Sequence, residues 1–208
     1  MTQKGGEKNM KETETKTALI LVDVQNDFCP KGKLAVTDGN HVVEPLNNAV
    51  RYAREHGWLI VVGRDWHPAV TTHFAKNGGV WPEHCVQETI GAEFHTDLDI
   101  DGAVVVSKGT RSDEDGYSEF DGHIKDGKTL GELLKTCGKT RVLIGGLATD
   151  YCVKATALDA ARLGFETYVL LDAIKAVNLQ PDDEAKAVAE MVANGVKFTQ
   201  TIYLEMLG

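Results

Sequence analysis

The sequence predicts a single α/β domain with a mainly parallel sheet and helices on both faces. Apolar runs such as residues 17–24 and 58–65 are nearly continuous, which is typical of strands buried on both faces. Segments with helical spacing alternate with these runs, and this alternation favours a parallel sheet. A chain of 208 residues is long enough for one such domain with a substantial core, and two small domains are less favoured.

The elements alternate regularly along the chain. The first helix is predicted over residues 41–57, where apolar residues recur at helical spacing at Val43, Leu46 and Val50. Strands are predicted at 17–24, 58–65, 102–109, 140–148, 166–173 and 196–201. Further helices are predicted at 129–138, 150–164 and 181–195. Residues 66–101 form a long segment with little strand character and most of the histidines.

Composition limits the classes of protein to consider. Residues 1–16 are polar and charged, so we expect a disordered tail before a single domain at 17–208. The net charge of −9 argues against a nucleic-acid partner and against an anionic membrane surface. No apolar run is long enough to span a bilayer. Four scattered cysteines favour reduced thiols, so we expect a cytoplasmic protein. The sequence does not determine the oligomeric state and is compatible with a homo-oligomer.

Four polar or reactive residues are predicted to share one edge of the sheet, because the carboxyl ends of parallel strands lie at the same edge. Ligands of such folds bind beyond that edge. Asp23, Asp65 and Lys108 each end a predicted strand, and Cys152 begins the helix after another. A helix N-terminus lowers the pKa of a thiol, and its N–H groups can hold an oxyanion. Asp23 is then a candidate general base, and Lys108 a group that stabilises negative charge.

Each of these residues also has an ordinary structural explanation. Free cysteine is among the most buried residue types, and an aspartate at a strand end often caps the next turn. A lysine at a strand end is commonly solvated. The shared sheet edge favours the functional interpretation, because it brings an acid, a lysine and a cysteine together.

A second group of residues indicates a metal site. Asp65 and His67 form a D-x-H pair, and His73 and His84 follow in the same segment. A carboxylate with two or three imidazoles suits zinc first, with iron or manganese as alternatives. The competing explanation is a set of packed, hydrogen-bonded histidines.

These motifs resemble the nicotinamidases (pyrazinamidases) of the isochorismatase-like cysteine hydrolase superfamily. The resemblance runs from about Thr17 to the C-terminus and rests on five ordered blocks: DVQNDFC, RDWHP, WPEHCV, SKG and GLATDYCV. It implies a catalytic triad of Asp23, Lys108 and Cys152. It implies the metal ligands Asp65, His67 and His84, with His73 matching a fourth ligand that only some relatives have.

The resemblance also implies how a ligand is held. The Leu147–Ala148 peptide bond should be cis, with the N–H groups of Ala148 and Cys152 forming an oxyanion hole. The implied substrate-binding residues are Phe28, Trp81, Leu147 and Tyr117.

The implied reaction is metal-dependent hydrolysis of nicotinamide to nicotinate and ammonia through a thioester, as part of NAD salvage, with pyrazinamide as a second substrate. Two alternatives are a related amidase that acts on a carbamoyl or ureido substrate and a non-catalytic α/β binding module. The second requires loss of a triad residue, and the sequence retains all three.

Overall fold

Six strands form the central sheet in the computed structural model, which describes residues 15–207. They are β1 (Thr17–Val22), β2 (Leu59–Asp65), β3 (Val104–Lys108), β4 (Arg141–Leu147), β5 (Glu166–Lys175) and β6 (Lys197–Thr199). Their spatial order is β3-β2-β1-β4-β5-β6, and all neighbouring pairs are parallel. The predicted parallel α/β fold is therefore confirmed.

Helices cover both faces of the sheet. Within residues 15–207 the α-helices are α1 (Val43–Glu55), α2 (Leu130–Thr136), α3 (Lys154–Arg162) and α4 (Asp183–Ala193). Leu19 and Leu21 of β1 pack on the α1 side, whereas Ile20 packs with α2, α3 and α4. Burial on both faces explains the continuous apolar run in β1, and each such side chain contributes about 1.5–3 kcal/mol.

The sheet order reverses beside β1, and this reversal positions the candidate site. The chain leaves β1 towards β2 on one side, whereas β4 pairs with β1 on the other. A crevice forms at such a reversal, outside the carboxyl ends of the strands. Asp65 is paired in register with Lys108 at that end of the sheet.

All the predicted strands and helices are present, with ends that differ by a few residues. Residues 66–101 contain no strand and include short 3-10 turns at Ala75–Asn77 and Ile90–Ala92. Two features differ from the prediction. The helix expected from residue 150 begins as a π-helical turn, Thr149–Val153, and the described residues end in an unpredicted 3-10 segment, Thr201–Leu207. Leu204 of that segment packs against the α1 side of the core, a contact that no local pattern indicates.

Most of the expected tail, residues 1–16, lies outside the described residues. Thr15 and Lys16 are described: the Thr15 hydroxyl donates to the Gly57 carbonyl at 3.0 Å, and the Lys16 carbonyl accepts from Thr140 and Arg141. Between residues 15 and 207, no helix has the length and apolar character needed to cross a membrane.

Candidate active site

A buried ammonium group holds the four predicted sheet-edge residues together. Lys108 is 1% exposed, and its Nζ lies 2.8 Å from Asp23 Oδ2 and 3.5 Å from Cys152 Sγ. It also donates a hydrogen bond to Asp65 Oδ1. The ligand atoms of Asp23, Asp65 and Cys152 lie within 4.8 Å of one another, and Lys108 supplies the positive charge between them. The fold therefore brings together residues from the ends of four strands, as predicted.

The charges in this cluster depend on one another. Burial alone would lower the pKa of Lys108, but Asp23 and Asp65 outweigh it and raise that pKa well above its usual value. Burial also dominates at Asp23, where it raises the pKa against the opposing charge of Lys108. At Asp65 burial favours a higher pKa, but the charge of Lys108 and the contacts of His67 and His84 together outweigh burial and hold the pKa well below its usual value. Asp23 therefore has the higher proton affinity of the two carboxylates.

The thiol of Cys152 differs from the sequence-based expectation. Burial raises its pKa well above the usual value, with Asp23 and Asp65 acting in the same direction, and together they outweigh Lys108. Cys152 also lies in the π-helical turn, and the α-helix proper begins at Lys154. The predicted lowering of the thiol pKa is wrong, because burial and nearby negative charge exceed the effect of the helix terminus. The resting group is a thiol that needs a base.

Two backbone features bring Asp23 close to the cysteine loop. Asp23 has a φ of 49°, a left-handed conformation that is uncommon for residues other than glycine. Gly146 in β4 also has a positive φ, of 130°, and a Cβ at this position would overlap the Val22 carbonyl. Glycine at 146 therefore allows β4 to approach β1 closely at the end from which both Asp23 and the Cys152 loop emerge.

The segment between β4 and α3 forms a tight loop ahead of Cys152. The Leu147–Ala148 peptide bond is cis, as the resemblance implies. The N–H groups of Tyr151 and Val153 both donate to the Ala148 carbonyl at 3.1 Å. Ala148 and Cys152 border the same cavity, and their N–H groups remain the predicted oxyanion hole.

The predicted metal-binding histidines also converge. His67, His73 and His84 are all buried, and one ring nitrogen from each lies within 4.8 Å of the others. Nε2 of His67 and Nε2 of His84 each lie 3.7 Å from Asp65 Oδ2. This separation is long for a hydrogen bond but suits two atoms that bind one ion at about 2.0–2.2 Å each.

Neighbouring oxygens fix the orientation of these imidazoles. Each Nδ1 lies near an oxygen, at 3.1 Å for His67, 2.8 Å for His84 and 3.0 Å for His73. These oxygens are the carbonyls of Gly109 and Pro82 and the carboxylate of Asp115. Because such oxygens accept, Nδ1 carries the proton and Nε2 the free lone pair. Within residues 15–207, His67 Nε2 is buried without a hydrogen-bond partner, so the set fits a transition-metal ion such as zinc.

Asp65 connects the two clusters, since one of its oxygens binds Lys108 and the other faces the histidines. Its backbone is held by Gln25, a role that sequence reasoning missed. The Gln25 side chain donates to the Asp65 carbonyl and accepts from the Asp65 N–H, both at 2.8 Å. Gln25 is fully buried and lies within the DVQNDFC block. The motif therefore includes this residue, but the sequence alone does not reveal that it holds the backbone of Asp65.

A pocket opens onto both clusters. All the predicted substrate-binding residues border it: Phe28, Trp81, Tyr117 and Leu147. Trp81 Nε1 donates to the Tyr117 hydroxyl at 2.8 Å, which couples two of these aromatic side chains. The aromatic and apolar lining of this pocket suits a small, mostly flat aromatic ligand.

Sequence reasoning missed several other residues that line this cavity: Leu34, Val36, Asp115, Tyr151 and Val177. Tyr151 packs edge-on against Trp81, with ring centroids 4.9 Å apart. Its position directly before Cys152 was the one signal that could have indicated it. The other residues come from loops whose course no periodic pattern specifies.

The fold and the grouping of strand-end residues define an isochorismatase-like hydrolase. The isochorismatase domain family model matches residues 17–202, and the chain belongs to this family. It is 40% identical over 195 residues to the nicotinamidase of Escherichia coli (strain K12), an alignment that covers 86% of this chain and 92% of that protein. The resemblance seen in the sequence is therefore confirmed, as is the expectation of an amidohydrolase.

Solved structures agree with this assignment. The pyrazinamidase of Pyrococcus horikoshii in complex with zinc is 46% identical, with a TM-score of 0.82, and the match covers 89% of this chain and 99% of that one. An L. infantum protein in complex with nicotinate is 33% identical, with a TM-score of 0.80, covering 91% and 94% of the two chains.

Proposed function

We propose that this protein hydrolyses nicotinamide to nicotinate and ammonia, and that it also accepts pyrazinamide. One observation carries the proposal: the Asp23–Lys108–Cys152 cluster and the histidine cluster share Asp65 and open into one aromatic-lined cavity. This arrangement matches an amide carbon near the thiol and a heteroaromatic ring nitrogen near the histidines. The relatives named above act on, or bind, ligands of this kind.

The metal ion would be held by Asp65, His67, His73 and His84. Zinc is the first choice, because these ligands are imidazole nitrogens and a carboxylate. When bound, the ion supplies an electrophilic position that binds the pyridine nitrogen or a water molecule. Phe28, Trp81 and Tyr117 then enclose the ring and orient its carboxamide towards Cys152.

The first half-reaction forms a thioester. Asp23 takes the proton of the Cys152 thiol as the sulfur bonds to the carboxamide carbon, whose oxygen becomes an oxyanion. The N–H groups of Ala148 and Cys152 stabilise that oxyanion, and Lys108 stabilises the negative charge of the cluster. The carbon–nitrogen bond then breaks, and Asp23 gives its proton to the departing ammonia.

The second half-reaction regenerates the thiol. A water molecule attacks the thioester carbon while Asp23 takes one of its protons. The carbon–sulfur bond breaks, and the proton on Asp23 returns to the sulfur of Cys152. The product leaves as the carboxylic acid and gives the second proton of the water to solvent, which yields nicotinate. The high pKa of Cys152 suits this cycle, because the thiol stays protonated until Asp23 acts.

We further infer that the enzyme works in the cytoplasm and supplies nicotinate for NAD salvage. The four cysteines are all free thiols, which suits a reducing compartment.

The decisive experiment measures ammonia release from nicotinamide by purified wild-type protein and by Cys152→Ala. We expect release by the wild type and none above background from Cys152→Ala, because the sulfur forms the covalent intermediate. Cys137→Ala, at the far end of α2, is the matched control and should retain activity. Circular dichroism and metal analysis should show that Cys152→Ala folds and binds metal normally.

Turnover by Cys152→Ala would rule out the thioester. No release from folded, metal-loaded wild type would move the assignment to carbamoyl or ureido amides, which the same assay tests directly. Nicotinamide binding without ammonia release from any amide would indicate a non-catalytic module.

A further inference from the structure

Glu119 is a buried acid that the proposed mechanism does not use. It begins a single 3-10 turn, Glu119–Asp121, between β3 and α2, and it is 0% exposed. Its backbone N–H donates to the Thr156 hydroxyl at 3.0 Å, which anchors the turn to α3. A fully buried carboxyl group is unusual unless something nearby requires it.

The carboxyl group of Glu119 lies directly behind the proposed base. It fills the space beside Gly63 of β2, where a Cβ would overlap it. The Gly63 carbonyl accepts a hydrogen bond from the Asp23 N–H at 3.2 Å, so this part of β2 adjoins Asp23. The side chains of Glu119 and Asp23 are themselves within hydrogen-bonding reach.

Most of the carboxyl oxygens of this pair are not satisfied by other groups. Between residues 15 and 207, neither carboxyl oxygen of Glu119 receives a hydrogen bond from a donor, and Asp23 Oδ1 receives none. The nearby ammonium of Lys108 is already shared between Asp23 and Asp65. A second unpaired carboxylate here would be very costly, and burial and the charge of Asp23 raise the pKa of Glu119 well above its usual value.

One proton on Glu119 would remove the buried second charge and also supply the missing hydrogen-bond donor. If Glu119 is a neutral carboxylic acid, it carries no buried charge, and its O–H can donate to the carboxylate of Asp23. We propose that Glu119 is a positioning residue: a permanently protonated acid that holds Asp23 by a hydrogen bond and keeps it ionised as the base. The proton on Glu119 stays in place throughout the cycle, and the thiol proton moves only to and from Asp23.

This inference rests on the proposed function only for the role of Asp23 as base. The test compares Glu119→Met, which keeps the volume but removes the donor, with Glu119→Gln, which keeps both volume and donor. We expect Glu119→Met to lower kcat by at least about tenfold, the factor that corresponds to one hydrogen bond to a charged group, with little change in KM. Glu119→Gln should restore most of that loss.

A variant that keeps the donor separates positioning from packing. Because Glu119→Met leaves the buried carboxylate of Asp23 without its donor, Tm should fall together with kcat, whereas Glu119→Gln should restore both. Asp121→Asn is the matched control, because it weakens the Ser118–Asp121 capping contact of the same turn without reaching Asp23. An unchanged kcat in Glu119→Met, or an equal loss of kcat in Glu119→Gln, would overturn the proposal.

Two readouts do not depend on the substrate. Infrared spectroscopy at neutral pH should show the C=O stretch of a protonated carboxyl group that shifts on 13C-glutamate labelling and disappears in Glu119→Gln. Alkylation of Cys152 by iodoacetamide should be slower in Glu119→Met than in wild type, and Glu119→Gln should recover the rate. Absence of the band, or equal alkylation rates in all three proteins, would refute the proposal even if nicotinamide proves not to be the substrate.

Discussion

At the scale of single residues, His67 has features that a packed core histidine lacks. It is fully buried and stacks on His73 with ring centroids 4.5 Å apart. Its Nδ1 is paired with the Gly109 carbonyl, whereas among the described residues its Nε2 has no hydrogen-bond partner. An unpartnered buried nitrogen costs free energy that a bound cation would recover. The same reasoning distinguishes this ring from the exposed His41.

His67→Ala is therefore expected to reduce bound metal. Loss of one ligand should lower the metal content of purified protein well below one ion per chain, and KM for nicotinamide should rise because the ring nitrogen loses its anchor. Metal analysis by inductively coupled plasma mass spectrometry measures the first effect, and steady-state kinetics the second. His41→Ala should leave both unchanged. Unchanged metal content in His67→Ala would remove this residue from the ligand set.

At the scale of elements, an ion-pair group ties the later strands together. Glu166 at the start of β5 accepts hydrogen bonds from Arg141 of β4 at 2.7 Å and from Lys197 of β6 at 2.8 Å. Tyr168 also donates to it, at 3.0 Å. Lys197 and Arg141, with Tyr168, lower the pKa of Glu166 from 4.5 to about 2. The group is at the protein surface, so solvent and salt screen it.

The lowered pKa of Glu166 determines how its contribution to stability depends on pH. Because the pKa of Glu166 is lower in the folded state, its stabilisation is complete above about pH 4.5 and is lost as the pH falls towards 2. Wild type should thus be more stable to urea than Glu166→Gln at pH 7, and this difference should shrink between pH 4.5 and 2. Glu55→Gln, on the exposed face of α1, is the control and should show no such convergence. A constant difference would contradict the assignment.

At the scale of the whole molecule, the candidate metal site joins a long loop to the sheet. Asp65 ends β2, whereas His73 and His84 belong to the strand-free segment 66–101. The same segment supplies Trp81 to the cavity, and His67 and Val86 form a bridge within it. A bound ion would cross-link these parts and so stabilise the folded state.

Removal of the metal should therefore lower Tm and expose the loop. Ligand at about 100 times its Kd stabilises a folded protein by about 2.7 kcal/mol, so zinc added to chelated protein should restore a clear Tm difference by calorimetry. Magnesium should not substitute, because it prefers oxygen ligands. Limited proteolysis should cut within residues 66–101 faster in the chelated form. Equal Tm values with and without zinc would mean that no ion links the loop to the sheet.

The sequence determined the parallel sheet and the gathering of its strand ends. Continuous apolar runs specify strands that are buried on both faces, and the carboxyl ends of parallel strands share one edge. These two rules are enough to predict that Asp23, Asp65 and Lys108 lie together. The D-x-H pair likewise indicated a metal-binding segment, because its residue types and spacing suit one ion.

The tertiary structure alone decided the environment of each group. The high pKa of Cys152 depends on its burial and on carboxylates that are remote in sequence, and no local pattern reports either. The bonds of Gln25 to Asp65, and the position of Glu119 behind Asp23, require segments 40 or more residues apart to meet. Residue type and periodicity are local properties, whereas proton affinity and hydrogen-bond partners are set by what packs across the fold.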